Sequence, residues 1–397
     1  MKIHCAGCAL LDNLYGSVNF QSSEFLRFKS RRDGDGGLVP GQLVFAEDLA
    51  LFSGESFKSI LKTLTGGREP DTSNVGGPAI IPLIHAAQML EGTGAEFRYF
   101  GMVGEDWNGR LIRKLLKEAP VDLSNYKSGP GHTPATDVLS DPDYNKGHGE
   151  RTFINQIGLA ADPALAEFDD DFFQGDLVFF GGTALVPPQH DNLTELTTRA
   201  RNAGAFVVVT TVFDFRNEKA LGGKPWPLVD DYTKVDLLVV DQEEALKISG
   251  VPTAEEALEW FLLQSAGAVI VTRGNKPVLF QVQSDRYQPV AIKELPVCHQ
   301  IDIDLKTQTR LHDTTGCGDN FVGGVLASLA SQISRGAVSL DLTEAVAWGV
   351  VSGGYAATYL GGLYGENTSG EKRKEVEVYW QAYRKEVQSL VDLSESL

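Results

Sequence analysis

The chain contains few cysteines and no long apolar run. The four cysteines among its 397 residues are too few and too scattered for a disulfide framework, which favours a reducing compartment such as the cytoplasm. No stretch of about eighteen apolar residues is available to span a bilayer, and the first residues, Met-Lys-Ile-His-Cys, lack the apolar core of a secretory signal. We therefore expect a soluble cytoplasmic protein.

Basic side chains are also in short supply. The sequence has 35 Lys and Arg against 53 Asp and Glu, a formal net charge of -18. Such a surface repels nucleic acid and anionic membranes, so neither is expected as a partner. A small anionic substrate remains compatible with it, because a helix N-terminus or a few basic side chains outweigh a distant net charge that salt screens.

Two common nucleotide-binding patterns are missing. No Gly-x-Gly-x-x-Gly follows the first predicted strand, which disfavours a dinucleotide dehydrogenase, and no Gly-x-x-x-x-Gly-Lys-Ser/Thr occurs, which excludes a P-loop enzyme. The length allows a sizeable core and by itself suggests two or three domains, although single α/β domains often run longer than that estimate assumes.

What the sequence does contain is a glycine pair followed by an acid and an apolar helix. Residues 312–320 read His-Asp-Thr-Thr-Gly-Cys-Gly-Asp-Asn, and Phe321, Val325 and Leu329 follow with helical spacing. A helix that begins here would direct its free N–H groups and positive dipole end at an anion. Asp319 would then take a proton from an attacking hydroxyl in phosphoryl transfer. Glycine-rich turns also precede helices without any chemistry, and the residue types alone leave both interpretations open.

The run 313–319 resembles the C-terminal signature of the ribokinase-like (PfkB) carbohydrate kinase family, which usually reads Asp-Thr-x-Gly-Ala-Gly-Asp. Cysteine stands in the alanine position and is only slightly larger, so we expect the loop to close. The resemblance implies ATP and Mg²⁺ as cofactors. It also implies a catalytic base and an anion hole of backbone N–H groups that contacts the nucleotide, namely Asp319 for the base and Gly316, Cys317 and Gly318 for the anion hole.

Residues 1–12 are predicted to form a short strand, which carries a Cys-x-x-Cys pair, Cys5 and Cys8, and then Asp12. A metal or redox role for the cysteines is disfavoured, because no second Cys or His pair stands nearby. Members of the family open with a strand, a glycine and an Asp that binds substrate hydroxyls, and Asp12 fits that place. A carboxylate that accepts hydroxyl hydrogen bonds orients a polyol well.

The run 74–79 (Asn-Val-Gly-Gly-Pro-Ala) resembles the N-terminal Gly-Gly element of the family. The resemblance implies that Gly76 and Gly77 approach the sugar too closely for a Cβ. The chain departs from the family just afterwards, because Ile-Ile-Pro at 80–82 stands where relatives usually carry an Asn. The identity of the acceptor therefore does not transfer from ribokinase.

The run 101–109 resembles the second N-terminal signature, Gly-x-Val-Gly-x-Asp-x-x-Gly. Asp106 is predicted to cap the next helix, with substrate contact as the alternative. Arg151 follows in one of two strands expected to pair, at 133–139 and 149–153. Two roles stay open for Arg151: contact with a phosphate or acidic group of the substrate, or pairing with a carboxylate of a lid.

The C-terminal half alternates apolar strands with helices. Such a pattern predicts a parallel sheet covered on both faces, and ligands bind such sheets at the carboxyl ends of the strands. The predicted strands are 176–180, 206–210, 235–240 and 268–272, and the predicted helices lie near 190–203, 242–249 and 254–265, with a further helix rich in small residues over 342–360 and a charged terminal helix after 371.

Acidic and small residues follow two of these strands. Asp241 and Glu244 resemble the Asn-x-x-Glu element that helps to place magnesium, with Asp in place of Asn; a helix N-cap explains the pair equally well, and both can hold together. The next strand ends in a run that resembles a nucleotide contact, formed by Thr272, Gly274 and Asn275. The resemblance also leaves room for a monovalent cation near Asp313 and Thr315.

Residues 13–71 give weak helix and strand signals and contain repeated glycines. In the family this region supplies strands of a small lid that excludes water from the reaction. We expect a lid built from about 13–71 and 130–157, inserted in a single domain over 1–397. Phenylalanines at 20, 25 and 28 are expected in the core rather than facing substrate. Lid sheets can pair between subunits, which leaves a homodimer open.

The resemblance covers most of residues 1 to about 365, with four elements in the family's order. It implies a ribokinase-like three-layer α/β/α fold with a mainly parallel sheet and a small β lid. The predicted function is ATP-dependent phosphorylation of an alcohol group on a small sugar or polyol. Two alternatives stay open: a nucleoside kinase of the same fold, in which lid aromatics stack a base, and a non-catalytic sugar or nucleotide sensor.

Overall fold

The structure is a computed structural model that describes residues 1–32, 34–147, 149–290, 293–307 and 314–397. The strands are β1 (Lys2–Gly7), β2 (Leu10–Tyr15), β3 (Leu43–Phe45), β4 (Thr72–Gly76), β5 (Glu96–Gly104), β6 (Tyr126–Gly129), β7 (Ala135–Asp141), β8 (Glu150–Gln156), β9 (Leu177–Gly181), β10 (Phe206–Thr210), β11 (Leu237–Asp241), β12 (Ala268–Thr272), β13 (Val278–Val282) and β14 (Glu294–Leu295).

The α-helices are α1 (Ser23–Phe28), α2 (Ala46–Ser53), α3 (Phe57–Thr65), α4 (Ile80–Met89), α5 (Trp107–Leu115), α6 (Tyr144–Gly147), α7 (Asp170–Phe173), α8 (Pro187–Asp191), α9 (Leu193–Asn202), α10 (Phe215–Leu221), α11 (Gln242–Ser249), α12 (Ala254–Leu263), α13 (His299–Thr307), α14 (Cys317–Ser334), α15 (Leu342–Ala356) and α16 (Glu371–Val387). Within the described ranges, no helix is both long enough and apolar enough to cross a bilayer.

In the described part of the chain, nine strands form a large sheet with the order β14-β13-β12-β11-β10-β9-β1-β5-β6. The neighbours from β12 through to β6 pair in parallel, whereas β13 and β14 add an antiparallel edge. The parallel sheet predicted from the apolar runs is confirmed, and two of its strands, β10 and β12, have the predicted bounds. Burial of every residue of β9 and β10 explains why the sequence pattern there is continuous rather than alternating.

Helices cover both faces of the large sheet. Alternate residues of β10 point to opposite sides: Val208 joins a core with α4, α14, α15 and α16, whereas Val207 and Val209 join a core with α9, α11 and α12. The three-layer α/β/α arrangement is therefore confirmed. The charged terminal helix is part of it, because Trp380 of α16 is fully buried and stacks on Trp348 of α15 with 3.8 Å between ring centroids.

The N-terminal segment is divided between the two sheets. The sequence predicts one strand over residues 1–12, but β1 pairs with β5 and β9 in the large sheet and β2 pairs with β4 and β7 in a smaller one. Gly7 ends β1 with φ +150°, and a Cβ there would lie 2.2 Å from the carbonyl oxygen of Gly181. The chain leaves the large sheet at this close contact, which carries Asp12 onto the small sheet.

The small sheet has the order β3-β8-β7-β2-β4 among the described strands. The antiparallel pairing of β7 with β8 confirms the predicted pair of strands. The segment 13–71, expected to supply strands, contributes β3 and also α1, α2 and α3. Serine N-caps begin α1 (Ser22) and α3 (Ser56), and glycines in the left-handed conformation end α2 (Gly54) and α3 (Gly66).

The three helices pack on the outer face of the small sheet. The aromatic cluster there contains Phe20, Phe25 and Phe28, all buried as predicted, together with Tyr15 and Ile154 of the sheet. Because these helices already occupy the outer face, stacking of two small sheets in a homodimer would require them to move. The homodimer and the division into domains stay predictions.

The small sheet also contacts the C-terminal edge of the large sheet. The ring of Phe45 meets that of Phe215 edge-on, with 5.6 Å between centroids, and Lys219 Nζ lies 2.8 Å from a carboxylate oxygen of Asp48. These contacts join β3 and α2 to α10. The face of the small sheet opposite α1, α2 and α3 carries Asp12 and is called its inner face.

Candidate active site

Helix α14 begins at a glycine in the left-handed conformation. Gly316 is its N-cap residue, with φ +77° in the left-handed region, and makes no side-chain capping bond. A Cβ on Gly316 would lie 2.4 Å from the Cα of Gly362. Only glycine accepts both the torsion and the contact without strain. The first glycine of the pair is therefore needed to start the helix where it does.

Two N–H groups in the first turn of α14 have no acceptor among the described residues. The N–H of Cys317 donates to Thr314 O at 3.2 Å and that of Asn320 donates to Gly316 O at 2.9 Å. Between them, the N–H groups of Gly318 and Asp319 have no acceptor among the described residues. A Cβ on Gly318 would meet no atom of the described residues within 4 Å, so none of them covers this part of the helix start. Free donors at a helix N-terminus form a ready site for an anion.

The Asp319 carboxyl lies beside these donors and is partly buried. No group in the described ranges donates a hydrogen bond to it, and burial raises its pKa from 3.8 to about 6. A carboxylate with a pKa close to neutrality is well suited to accept a proton from an alcohol in the transition state. The geometry is that of a base placed next to an anion site.

Asp12 of β2 is held by the predicted glycine pair. A Cβ on Gly76 would lie 2.1 Å from Asp12 Oδ2, and a Cβ on Gly77 would lie 2.5 Å from the carbonyl oxygen of Cys8. The sequence suggests that the sugar excludes these Cβ atoms. In the structure the chain itself excludes them, because Asp12 and Cys8 fill the space.

The surroundings of Cys8 indicate that Asp12 and Asp319 lie in the same part of the molecule. Burial, then the negative charges of Asp12 and Asp319, raise the pKa of the Cys8 thiol to about 12. Asp12 on the small sheet and Asp319 on α14 therefore both lie near the buried thiol. Cys5 is also buried and directs its thiol at the carbonyl oxygen of Ala79, 3.4 Å away. In the part of the chain that is described, no three His, Cys, Asp or Glu side chains gather as a metal cluster.

A row of polar side chains crosses the inner face of the small sheet, and sequence reasoning missed most of it. Asp12 pairs in register with Asn74 of β4 and with Thr136 of β7, and Thr136 pairs with Asn155 of β8. The Asn155 amide donates to Thr136 Oγ1 at 3.0 Å. Alternating polar residues within each strand were the available signal, but the row depends on the pairing of four distant segments.

Arg151 lies apart from this row. It shares the inner face, but it stands four residues before Asn155 on β8, which places it about 13 Å away along the strand. Its carbonyl oxygen accepts the N–H of Gly41. A direct contact with an acceptor held at Asp12 would require a long substrate.

Asp106 caps α5, as predicted. Its carboxylate accepts the N–H of Gly109 at 2.8 Å and the hydroxyl hydrogen of Thr133 at 2.6 Å. These bonds join α5 to the segment that leads into β7. The alternative of substrate contact receives no support from this geometry.

Asp241 and Glu244 form a complete capping box at the start of α11. The Asp241 carboxylate accepts the Glu244 N–H at 2.8 Å, and the Glu244 carboxylate accepts the Asp241 N–H at 3.0 Å. The N-cap interpretation is confirmed. Burial, then the charge of Asp241, raise the pKa of the Glu244 carboxyl. A hard cation would suit two adjacent carboxylates of this kind, so the residues fit Mg²⁺ and its site stays a prediction.

The predicted nucleotide contacts lie at the same edge of the large sheet. Thr272 ends β12 and pairs in register with Asp241. Gly274 follows with φ +63° and Asn275 is exposed beside it. The intervening Arg273 holds this turn, since its guanidinium pairs with two glutamates and donates to a carbonyl oxygen of the same turn.

The predicted site for a monovalent cation is described only in part. Thr315 is partly buried just before the helix start. Asp313, the second residue of that prediction, lies outside the described residues. The monovalent cation therefore stays a prediction that rests on the resemblance.

A cavity of about 680 Å³ opens on the outer face of the small sheet. Its polar floor is formed by Asn13, Asp137 and Gln156, and its rim includes Trp107 and Phe57. Asp137 accepts hydrogen bonds from the amides of Asn13 and Gln156. None of the predicted site residues lines this space, so it is separate from the site around Asp12 and Asp319.

An α/β/α domain with a second, smaller sheet is the architecture of the ribokinase-like fold. The chain matches the family described as pfkB family carbohydrate kinase over residues 74–368, and it belongs to that family. The matched range includes the elements quoted from the sequence at 74–79, 101–109, 241–244 and 313–319. The chain is thus a carbohydrate kinase by family.

Individual relatives agree with this assignment. A fructokinase from Vibrio alginolyticus is 26% identical over 300 residues, which cover 72% of this chain and 86% of that protein. Among solved structures, Arabidopsis thaliana ribokinase complexed with ribose and ATP has a TM-score of 0.62 at 16% identity and covers 96% of this chain and 98% of that one. Adenosine kinase from Schistosoma mansoni in complex with 2-fluoroadenosine has the same TM-score and identity, with 92% and 97% covered.

Proposed function

We propose that the protein transfers the terminal phosphoryl group of ATP to an alcohol group of a small sugar or polyol. The observation that carries this proposal is the start of α14. There, the Asp319 carboxyl and the N–H groups of Gly318 and Asp319 have no hydrogen-bond partner among the described residues. An acid and an anion site side by side are the two parts that phosphoryl transfer requires of a protein.

The acceptor hydroxyl gives its proton to the Asp319 carboxylate while its oxygen forms the new bond to phosphorus. The bond between that phosphorus and the bridging oxygen of ADP breaks, so the products are ADP and a phosphate ester. Negative charge on the transferred group is held at the positive end of α14 by the predicted anion hole of Gly316, Cys317 and Gly318. The N–H groups of Gly318 and of the neighbouring Asp319 have no acceptor among the described residues, whereas that of Cys317 would have to exchange its bond to Thr314 O for one to the phosphoryl group. Asp319 later releases its proton to water.

The acceptor lies on the inner face of the small sheet in this proposal. Asp12, held against Gly76 and Gly77, accepts hydrogen bonds from two hydroxyl groups. Asn74, Thr136 and Asn155 continue the row, and these groups present both donors and acceptors. A polyol is the ligand whose hydroxyl groups match such a row.

Mg²⁺ would supply positive charge that neutralises the phosphate oxygens, and the residues proposed to place it are Asp241 and Glu244. Thr272, Gly274 and Asn275 are proposed to contact the nucleotide at the neighbouring strand end. A monovalent cation near Thr315 and Asp313 remains part of the proposal on the resemblance alone.

The structure gives less support to the alternatives. A nucleoside kinase was favoured by the aromatic residues of the lid, but Phe20, Phe25 and Phe28 are buried behind the sheet and cannot stack a base. A non-catalytic sensor would not need an ionisable group like Asp319 with its hydrogen-bonding capacity unused. A sugar or polyol kinase is the function that the geometry supports best.

The test is ADP release from Mg-ATP across sugars, sugar acids, polyols and nucleosides, with phosphorus NMR to identify the ester. We expect turnover on one class of sugar or polyol and none on nucleosides. If adenosine were the only acceptor that is phosphorylated, the sugar kinase proposal would be wrong and the nucleoside kinase alternative would be supported. Calorimetric binding of a sugar without ADP release would favour the sensor and refute the kinase proposal.

A further inference from the structure

A fully buried lysine lies behind the start of α14. Lys372, in the first turn of α16, is 1% exposed, and its Nζ donates to Asn320 Oδ1 at 2.8 Å. The rings of Tyr359 and Tyr364 each have their centroid 5.8 Å from the same nitrogen. Asn320 directly follows Asp319, so this lysine is one residue removed from the proposed base.

The contacts of Asn320 define how its amide is oriented. Three groups that carry hydrogen meet at its Oδ1: Lys372 Nζ, His85 Nδ1 at 2.9 Å and the Tyr359 hydroxyl at 3.1 Å. An amide NH₂ group in that position would face an ammonium group, so the oxygen must point there. His85 then carries its proton on Nδ1 and accepts from the hydroxyl of Ser352 at Nε2, 2.9 Å away.

This orientation directs the other end of the amide at two loops. Asn320 Nδ2 donates to Gly316 O at 2.8 Å and to Gly362 O at 2.9 Å. Gly316 begins the proposed anion hole, and its Cα faces that of Gly362 with no space for a Cβ. The amide of one side chain therefore ties the helix start to the loop beside it.

We propose that Lys372 is a positioning residue for phosphoryl transfer, which acts through Asn320 to hold the Gly316–Asp319 helix start against the Gly361–Gly362 loop. The inference rests on the proposed function for its effect on catalysis, but its structural part does not. Among the described residues, the Lys372 amine contacts Asn320 and two tyrosine rings but not the Asp319 carboxyl. Its effect on the reaction must therefore pass through the orientation of Asn320.

A buried amine at this position is costly for stability. Burial lowers the pKa of Lys372 from 10.5 to about 7, with Glu366 acting in the opposite direction. Replacement by Met keeps the aliphatic stem and removes the amine. Asn320 Oδ1 would lose its charge-assisted donor, so its amide is held less firmly, but it would keep His85 and Tyr359 as donors, so no acceptor is orphaned. A Lys372→Met variant should therefore melt at the same or a higher temperature at pH 7.

The test compares Lys372→Met with Lys374→Met, which removes an exposed lysine from the same helix. For Lys372→Met we expect kcat to fall by about tenfold, KM for the acceptor to stay unchanged and the melting temperature not to fall. Lys374→Met should match the wild type. A merely structural lysine would lower stability and activity together, and unchanged kcat in Lys372→Met would overturn the proposal.

Two further measurements separate this inference from the proposed function. Hydrogen–deuterium exchange of the peptides spanning 314–322 and 359–364 needs no turnover; Lys372→Met should speed it, and exchange equal to wild type would contradict the positioning role. If the wild type turned over no acceptor while exchange still rose, the kinase proposal would fail and the positioning claim would stand. Combining Lys372→Met with Asn320→Ala should lower kcat no further than Asn320→Ala alone, whereas full additivity would refute action through Asn320.

Discussion

Two helices that begin beside an acid at the edge of the large sheet differ in how that acid is used. At the start of α11, Asp241 and Glu244 each accept the other's N–H, so the chain satisfies its own donors. At the start of α14, Asp319 and the N–H group before it have no such partner among the described residues. Both helix starts carry an acid within the first turn, but at α11 the acids cap the helix, whereas at α14 the N-cap is Gly316 and no side chain caps the helix.

The two faces of the small sheet show the same contrast. Asp137 on the outer face is buried and accepts hydrogen bonds from Asn13 and Gln156. Asp12 on the inner face lies against Gly76, near the thiol that Asp319 also influences. The Asp137 carboxylate accepts hydrogen bonds from two side chains of its own sheet and so serves the fold, whereas Asp12, on the opposite face, is the carboxylate proposed to bind the acceptor.

The largest effect is expected from Asp319→Asn, which keeps the shape and removes the base. The rate constant kcat should fall by about three orders of magnitude. The pKa of the Asp319 carboxyl is raised from 3.8 to about 6 in the folded protein. Because the folded protein disfavours the ionised form, the free energy of unfolding decreases as the pH rises from about 4 to about 6. The variant should therefore melt at a higher temperature at pH 7, measured by calorimetry. If the wild type and the variant had the same kcat, Asp319 would be refuted as the catalytic base.

A smaller effect is expected from Asp12→Asn. The loss of a charge-assisted acceptor should lower kcat/KM for the sugar by about 100-fold, with KM for ATP unchanged. Asp137→Asn is the matched control on the outer face and should leave kcat/KM within about twofold of wild type. Equal losses in the two variants would show that the faces do not differ in function.

The smallest effects are expected at the start of α11, where two substitutions separate the cap from the proposed metal contact. Asn is as good an N-cap as Asp, so Asp241→Asn should keep the stability that Asp241→Ala loses, about 1 kcal/mol. Both variants should raise the Mg²⁺ concentration needed for half-maximal rate several-fold. If Asp241→Asn left the Mg²⁺ requirement unchanged, Asp241 would act only as a helix N-cap and the proposed metal contact would be refuted.

The regular half of the fold could be predicted because its signals are local. Strands β10 and β12 have continuous apolar runs, and α11 has the predicted bounds because its capping residues stand in sequence. The glycines at 316 and 318 marked the helix start for the same reason. Burial on both faces of a parallel sheet leaves a pattern that a single sequence records.

The remaining features depend on pairing between distant segments. The row from Asn74 to Asn155 is produced by strand register, and the helices on the outer face of the small sheet are stabilised by packing rather than by propensity. Lys372 was hidden for a similar reason, since it stands in a charged tail in which nothing local distinguishes a buried lysine from an exposed one.

The dependence of kcat/KM on pH in the wild type tests the central claim most directly. If the partly buried Asp319 is the base, kcat/KM should rise tenfold per pH unit at low pH and level off above its pKa of about 6. Asp319→Asn should abolish this rise. A wild-type profile that is flat between about pH 5 and pH 7, at which an ordinary carboxylate is already ionised, would contradict the account.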